Sequence, residues 1–471
     1  MAFLESITKH QSAFSVRQLF SNPAKAFLTL GLLFGLLFLI ALPPFQVPDE
    51  PAHLYRGYQV TEGRIIAERE NNVSGGQVPQ SLVDTVNIWS ARVPFNPKAK
   101  VEIKQFTDTL NLPLNREKTT YAWFMSSAYS PIPYIPQSIG ITIGKLLNLP
   151  PVFLMYLGRF TNLIITTLIV YFSIKIIPGF KWIFFLLALT PMALNQRASL
   201  SADALLNSVA FLLIAIIMND VCNPKVEKVS NRDVAIMAAL GVVLSLSKQV
   251  YFLIPFLCFL IPQEKFESRK RYWLSCTLIA LFTTIAWAVW SNIIKNNVGI
   301  PLNPMVDASV ERQMQYILQN PFTLFSTAWN SIQVSGPILE SFIGLLGWLD
   351  TKLPTLVLVT YPHVLVLVAL ISQQPNFVIS PGNKWKIFGI FMITVFLIYL
   401  SQYLIWMPVG ASVIDAVQGR YLIPISPLFF FLFYNQRWSC RVSEKGLRSL
   451  LIYYSIFALT ASLIAILDRY Y

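Results

Sequence analysis

Charge is what this chain has least of. Only 13% of its 471 residues are Asp, Glu, Lys or Arg, against 55% hydrophobic, and the mean hydropathy is +0.55. That balance excludes an ordinary soluble domain and reads as a polytopic membrane protein. Cysteine is scarce as well. Cys222, Cys258, Cys276 and Cys440 form no C-x-x-C pair, and two of them fall in apolar runs. Neither a disulfide framework nor a cysteine metal cluster is visible. No internal repeat of fixed period and no low-complexity tail appear. Acids are outnumbered, 23 against 36 Lys and Arg, for a net charge of +13. A nucleic-acid binder would gather that excess in a basic stripe on a soluble domain. Here it is spread over short loops between apolar spans, so no nucleic-acid partner is expected. The first apolar run, "AFLTLGLLFGLLFLIAL" (26–42), has no A-x-A-like cleavage site and leads into more spans. It reads as an uncleaved transmembrane helix rather than a signal peptide.

Apolar sequence is abundant, in lengths that suit a bilayer of about 20 helical residues. The expected fold class is all-α, a polytopic bundle of about eleven transmembrane helices. The spans read as 26–43, 152–174, 182–199, 203–219, 233–247, 250–262, 272–291, 353–373, 386–406, 421–434 and 449–467. The fifth, sixth and tenth are short and read as broken helices, tolerable only inside a bundle. With a cytosolic N-terminus, the inside segments hold 18 of the 36 Lys and Arg, and the short outside connections hold Arg197, Lys248 and Arg420. The bias keeps one sign along the chain. This orients the protein with its N-terminus in the cytosol and 1–25 as a cytosolic interfacial segment. A membrane module then runs over 26–291, including an outside loop at 44–151. A second outside helical region covers 292–352, and C-terminal spans cover 353–471. In the first loop the prolines of "YSPIPYIPQSIGITIGKLL" (129–147) forbid a regular helix start before Pro136. A short helix near the outer membrane face is expected there.

Charges beside spans are costly and mark functional candidates. Asp49, Glu50, His53, Asp203, Lys248, Asp350 and Arg420 all fall at the outer face in this topology. In "VPDEPAH" Asp49 reads as an N-cap with Pro51 in the first turn. His53 then shares roughly one helix face with Asp49 and Glu50. Such residues serve either as a plain helix cap or as a carboxylate pair that takes a proton or holds a divalent ion. "PMALNQRASLSADALLNS" places Arg197 and Asp203 in a polar turn, which is either a capped turn or a second acidic arm. Lys248 interrupts a long apolar stretch in "LSLSKQVYFLIPF" and suits an anion. Arg420, beside Gly419 and Tyr421, suits bidentate phosphate contact or an interfacial anchor. Two acids and two cations at one face suit transfer from a lipid phosphate, since fixed cations stabilise a leaving phosphate that gains charge.

"PPFQVPDEPAHLYR", "YSPIPYIPQ", "PMALNQRASLSADALLNS", "LSLSKQVYFLIPF", "FIGLLGWLD" and "QGRYLIPISPL" together resemble a bacterial family of multi-pass membrane proteins grouped with the GT-C glycosyltransferases. The resemblance runs from about residue 40 to 430. It implies a membrane glycosyltransferase that takes a polyprenyl-phosphate-linked sugar outside the cytosol. The acceptor would be a cell-envelope glycan or glycolipid. Asp49-Glu50 matches the acidic motif of the first outside loop and Asp203 the second acid. Lys248 matches the lysine after a short hydrophobic helix, and Arg420 the late outside arginine. No large soluble C-terminal domain follows, which argues against a protein acceptor, and Pro51 and His53 after the acid pair are not general among these enzymes. The implied chemistry is one inverting displacement. Asp49 is the first choice of base and Glu50 the second. Lys248, Arg420 and Tyr421 hold the donor phosphate, and the lipid tail lies in an apolar groove. His53, Arg56, Tyr129, Arg197, Asp203 and Asp350 form the surrounding shell. A divalent cation, if one takes part, would sit on Asp49, Glu50 and Asp203; no other cofactor is expected. The rival reading is a transporter or flippase for lipid-linked sugars. That function calls for midplane charges and repeated broken helices, where this sequence has charges at one face and no repeat.

Overall fold

The computed structural model describes residues 19–71, 73–298, 307–334, 337–371, 377–435 and 443–471. Most of the interfacial segment 1–25, and Cys440, lie outside these residues. The fold is mostly helical. Six helices are long and apolar enough to cross a membrane: α1 (Pro23–Ala41), and those spanning Pro151–Ile176, Asp203–Cys222, Arg269–Asn297, Pro381–Ile405 and Glu444–Tyr470.

Between α1 and the second of these lie helices α2 (Glu50–Thr61), α3 (Gln80–Ser90), α4 (Ile103–Leu110) and α5 (Ile135–Leu146). The segment before α5 forms a short 3-10 turn, Ile132–Tyr134, and α5 carries Pro136 in its first turn. The same region holds a three-stranded antiparallel sheet that the all-α reading did not contain: β1 (Glu68–Glu70), β2 (Val73–Pro79) and β3 (Thr119–Trp123). The Gly-Gly in "VSGGQVP" is by composition a poor strand former. In fact the backbones pack so closely that a Cβ on Gly75 would sit 2.0 Å from the Ala122 carbonyl oxygen, the role glycine commonly has in a strand.

The long helices are α6 (Pro151–Ile176), α9 (Asp203–Cys222), α11 (Arg269–Asn297), α16 (Pro381–Ile405) and α18 (Glu444–Tyr470). The span read at 182–199 is two helices, α7 (Lys181–Ala188) and α8 (Pro191–Arg197). Thr190 is driven off the helical region by Pro191 and caps α8 by accepting from the Ala193 N–H at 3.3 Å. The span read at 233–247 is α10 (Asn231–Ser247), begun by a Ser230–Asp233 capping box. The span at 250–262 is 3-10 structure over Gln249–Tyr251 and Ile254–Leu260. The described part of the region 292–352 contains α12 (Val310–Gln319), α13 (Pro321–Val334), α14 (Pro337–Ile343) and a two-stranded hairpin, Leu345–Leu346 with Thr351–Lys352. The span at 353–373 is α15 (Thr355–Ile371), with Pro362 inside it. The span at 421–434 is a 3-10 stretch, Gly419–Ile425, followed by α17 (Ser426–Phe431), with Pro424 and Pro427 limiting regular helix.

Burial ranks the spans. α9 is 72% buried and lies at the centre, whereas α11 and α16 are 28% and 22% buried and form the rim. The exposed side chains of the rim helices include Leu281, Phe282, Val289, Met392, Ile393 and Phe396, a surface suited to lipid. Long-range hydrogen bonds sort the two ends of the bundle. At one end Arg448 donates to the Ser21 carbonyl, Lys265 to Asn223 and Lys384 to Leu432. At the other, the last turn of α18 meets the loop between α3 and α4: Val101 N–H donates to the Tyr470 carbonyl at 2.9 Å. This second end carries the candidate site.

Candidate functional site

The site grows from four places where a helix stops or starts. Asp49 precedes α2 in the left-handed region, φ 64°, a conformation that Asp tolerates better than most residues. Its side chain makes no cap hydrogen bond and is free to turn away from α2. Asp203 opens α9 and Lys248 ends α10 in extended backbone. Arg420 stands in the 3-10 stretch after Gly419. A Cβ on Gly419 would lie 2.0 Å from the Ile338 carbonyl oxygen, so glycine lets this stretch press on α14. There Gly419 N–H donates to Ser341 Oγ at 2.7 Å. Tyr251 completes the support by donating to the Tyr421 carbonyl at 2.6 Å.

These elements enclose a cavity of about 160 Å³ lined by Asp49, His53, Tyr129, Asp203, Lys248, Arg420 and Tyr421. Each cation faces an acid. Arg420 Nη2 donates to Asp49 Oδ2 at 3.0 Å, and Lys248 Nζ lies 3.5 Å from Asp203 Oδ1. Lys248 also sits over the Tyr421 ring, 3.9 Å from its centroid. Asp203 is fixed from behind: Gln196 donates to its Oδ2 at 3.1 Å, and Asn207 donates to Gln196 at 2.8 Å. His53 Nδ1 and the Tyr134 hydroxyl are 2.8 Å apart, which leaves Nε2 toward the cavity. Burial holds His53 below the ordinary histidine value, although the Asp49 and Asp203 carboxylates pull it up. The imidazole is therefore neutral at pH 7.

The buried cations differ in how fully their donors are met, and Arg197, with one hydrogen bond and an unpaired Nε away from the cavity, is under-satisfied as well. A guanidinium has five N–H groups. Arg159 makes five hydrogen bonds, two to Glu50 and one each to the Leu39, Leu42 and Pro43 carbonyls. Arg56 makes five, to Gln59 and to the Arg64, Ile65 and Tyr129 carbonyls. Arg469 also makes five, to Asp350 and to the Ala99, Val93 and Asn96 carbonyls. Arg420 is only 6% exposed, yet among the described residues its one hydrogen-bond partner is Asp49, and its Nε is buried with none. Lys248 has three donors and, besides the Tyr421 ring, one long contact to Asp203. A buried cation so poorly satisfied is costly, and an anion in the cavity would meet that need.

Four expected site residues lie elsewhere. Glu50 is fully buried, locked to Arg159 at 2.5 and 2.8 Å, and accepts the Leu200 N–H at 3.1 Å. Both its oxygens are engaged, so it has no access to a reacting group. The left-handed turn at Asp49 sends the two neighbouring carboxylates to different partners. Arg56 secures the loop after α2. Arg197 is buried over the Phe27 ring and donates to the Ala188 carbonyl. Asp350 holds Arg469 at 2.7 Å at the end of α18. The sequence reading missed Arg159, although an arginine inside the span 152–174 calls for a buried partner. It also missed Gln402 and Trp406, neutral residues at the end of α16 that line the cavity.

The cavity adjoins a larger groove of about 850 Å³ between α11 and α16. Gln249, Val250, Ile294, Ser401 and Ile405 line both. The groove wall is largely apolar, with Phe252, Trp287, Leu397, Leu400 and Leu404. The acid set does not fit a divalent cation. Glu50 is withdrawn, Asp49 and Asp203 each face a cation, and no cluster of three His, Cys, Asp or Glu suited to a metal occurs among the described residues.

Residues 32–429 match the model of a family described as a predicted membrane protein, DUF2142. Neither a curated protein nor a solved structure matches the chain.

Proposed function

The chain belongs to the DUF2142 family of predicted membrane proteins, and we propose that it is a membrane glycosyltransferase using a polyprenyl-phosphate sugar as donor. The acceptor is a cell-envelope glycan or glycolipid. The observation that carries this reading is the pair of under-satisfied cations, buried Arg420 and half-buried Lys248, facing two carboxylates in one cavity that continues into an apolar groove. A lipid phosphate needs such cations for its head and such a groove for its tail. The orientation proposed is a GT-C-like bundle of eleven crossings in the bacterial inner membrane. The short elements α7 with α8, α10, the 3-10 stretch Ile254–Leu260, α15, and Gly419–Ile425 with α17 add five crossings to the six long helices. The cytosolic end carries the lysine- and arginine-rich loops, and the cavity opens outside.

In the reaction, an acceptor hydroxyl attacks the anomeric carbon from the face opposite the phosphate. The bond from that carbon to the phosphate oxygen breaks, and its electron pair leaves on the phosphate. Asp49 takes the hydroxyl proton. The leaving phosphate goes from one negative charge to two, and Arg420 and Lys248 stabilise that gain. Asp203 holds Lys248 in place, and neutral His53 offers Nε2 to the acceptor. No step runs through Glu50 or through a metal.

The test is transfer by the purified protein from a polyprenyl-phosphate hexose, comparing wild type with Asp49→Asn and Lys248→Ala. Glycoside formation by wild type and its loss in both variants supports the reading. Movement of the lipid-linked sugar across vesicles without glycoside formation replaces it with a transporter.

A further inference from the structure

The cavity has a wall that the phosphate chemistry leaves unused. It is built by the last turn of α16, where Gln402 and Trp406 face the cavity between the cations and the groove. Gln402 is 8% exposed, so more than nine-tenths buried. Its side-chain amide has no hydrogen-bond partner among the described residues, and nor does the indole N–H of half-buried Trp406. By contrast, three neighbouring polar side chains are satisfied. Trp290 Nε1 donates to the Ala128 carbonyl at 3.0 Å, Gln249 donates to Ser291 Oγ at 2.8 Å, and Ser401 Oγ donates to the Ile398 carbonyl at 2.8 Å. The Gln402 amide is left open to the cavity it lines, where a ligand can pair with it.

The chemistry of that wall is specific. An amide presents both donors and an acceptor, which suits vicinal hydroxyls. An indole presents an apolar face and one polar edge, which suits the C–H face of a pyranose. The wall carries no charge, so the group it accepts is neutral, while the anion goes to Arg420 and Lys248. A cavity of about 160 Å³ is smaller than pockets for drug-sized ligands, which run from about 300 Å³. It suits a head group, with the larger groove beside it.

We infer that Gln402 and Trp406 form the subsite for one neutral sugar, and that they decide whether a polyprenyl phosphate carrying a sugar is preferred over the bare lipid phosphate. This rests on the donor class proposed above. Trp406 stacks on the sugar ring, and Gln402 holds two of its hydroxyls while Arg420 and Lys248 hold the phosphate. The sugarless product then loses the wall's contacts and leaves by the groove.

The experiment is equilibrium binding of two probes to the full-length protein in nanodiscs, a polyprenyl monophosphate and the same lipid bearing one neutral hexose. Wild type is expected to bind the hexose lipid about tenfold tighter, the gain of one or two good hydrogen bonds. Gln402→Leu and Trp406→Leu erase that preference and leave binding of the bare lipid unchanged, which also reports that they fold. Gln402→Asn keeps the amide, shortens its reach and gives an intermediate preference, so the test holds even if the leucine variant does not fold. A full preference surviving in the Gln402 variants, or equal loss of both lipids in them, overturns the sugar subsite. Wild type binding both lipids equally overturns the subsite alone, whereas wild type binding neither overturns the donor class and the subsite with it.

Discussion

Arg420 donates to Asp49 at 3.0 Å across 371 positions of sequence. The contact joins the first loop to the last third of the chain and closes the cavity. It also occupies the carboxylate proposed as base with the cation proposed to hold the phosphate. A donor phosphate that takes over Arg420 releases Asp49, so donor binding and base activation are linked.

Asp49→Asn separates the two roles. Transfer is expected to fall by about 10²–10⁴-fold, the usual contribution of a positioned general base. Binding of a bare polyprenyl monophosphate is expected to tighten, because Arg420 loses its competing anion. Transfer assays and lipid titration on the same preparation check both; weaker lipid binding would mean that Asp49 serves to hold Arg420 in place.

Glu50 is expected to affect stability first. Its pair with Arg159 is fully buried on both sides, and breaking such a pair costs about 3–5 kcal/mol. Thermal unfolding in detergent should show a large drop for Glu50→Ala and partial recovery in Glu50→Leu combined with Arg159→Met. An unaltered melting temperature with lost transfer would return Glu50 to the chemistry.

His53 sets an acid limit. Its folded value lies below the ordinary 6.5, chiefly through burial, so the unfolded chain takes the proton first. Its contribution to stability is complete above about pH 6.5 and declines as pH falls toward the folded value. Melting temperature followed from pH 7.5 to 5 should fall less steeply for His53→Gln than for wild type.

Asp350 and Arg469 fasten the end of α18 to the loop at 93–101. Asp350→Asn removes the charge that organises the five donors of Arg469. Hydrogen exchange of the amides at 93–101 is expected to quicken by about tenfold or more, while that of α9 is unchanged.

Charge in an apolar setting was the readable signal. It pointed to Asp49, His53, Asp203, Lys248 and Arg420, and the structure gathers these around one cavity. Direction was not readable. Asp49 and Glu50 are adjacent, and only the left-handed backbone between α1 and α2 decides that one meets Arg420 and the other Arg159. Hydropathy marked the apolar segments but not their form. Thr190-Pro191 splits one, and prolines tighten two others into 3-10 turns. The sheet hid behind Gly75 and Gly76, and the Gln402–Trp406 wall behind neutral residues in an apolar run.

The most direct test is single-turnover glycosyl transfer from a polyprenyl-phosphate hexose by the purified protein, scored with the Arg420→Ala and Asp49→Asn variants. Glycoside formation by wild type, lost in both variants while their folding and α16 hydrogen exchange stay normal, is the expected result. Wild-type protein that binds or moves the lipid-linked hexose but forms no glycoside with any envelope glycan or glycolipid acceptor would contradict it.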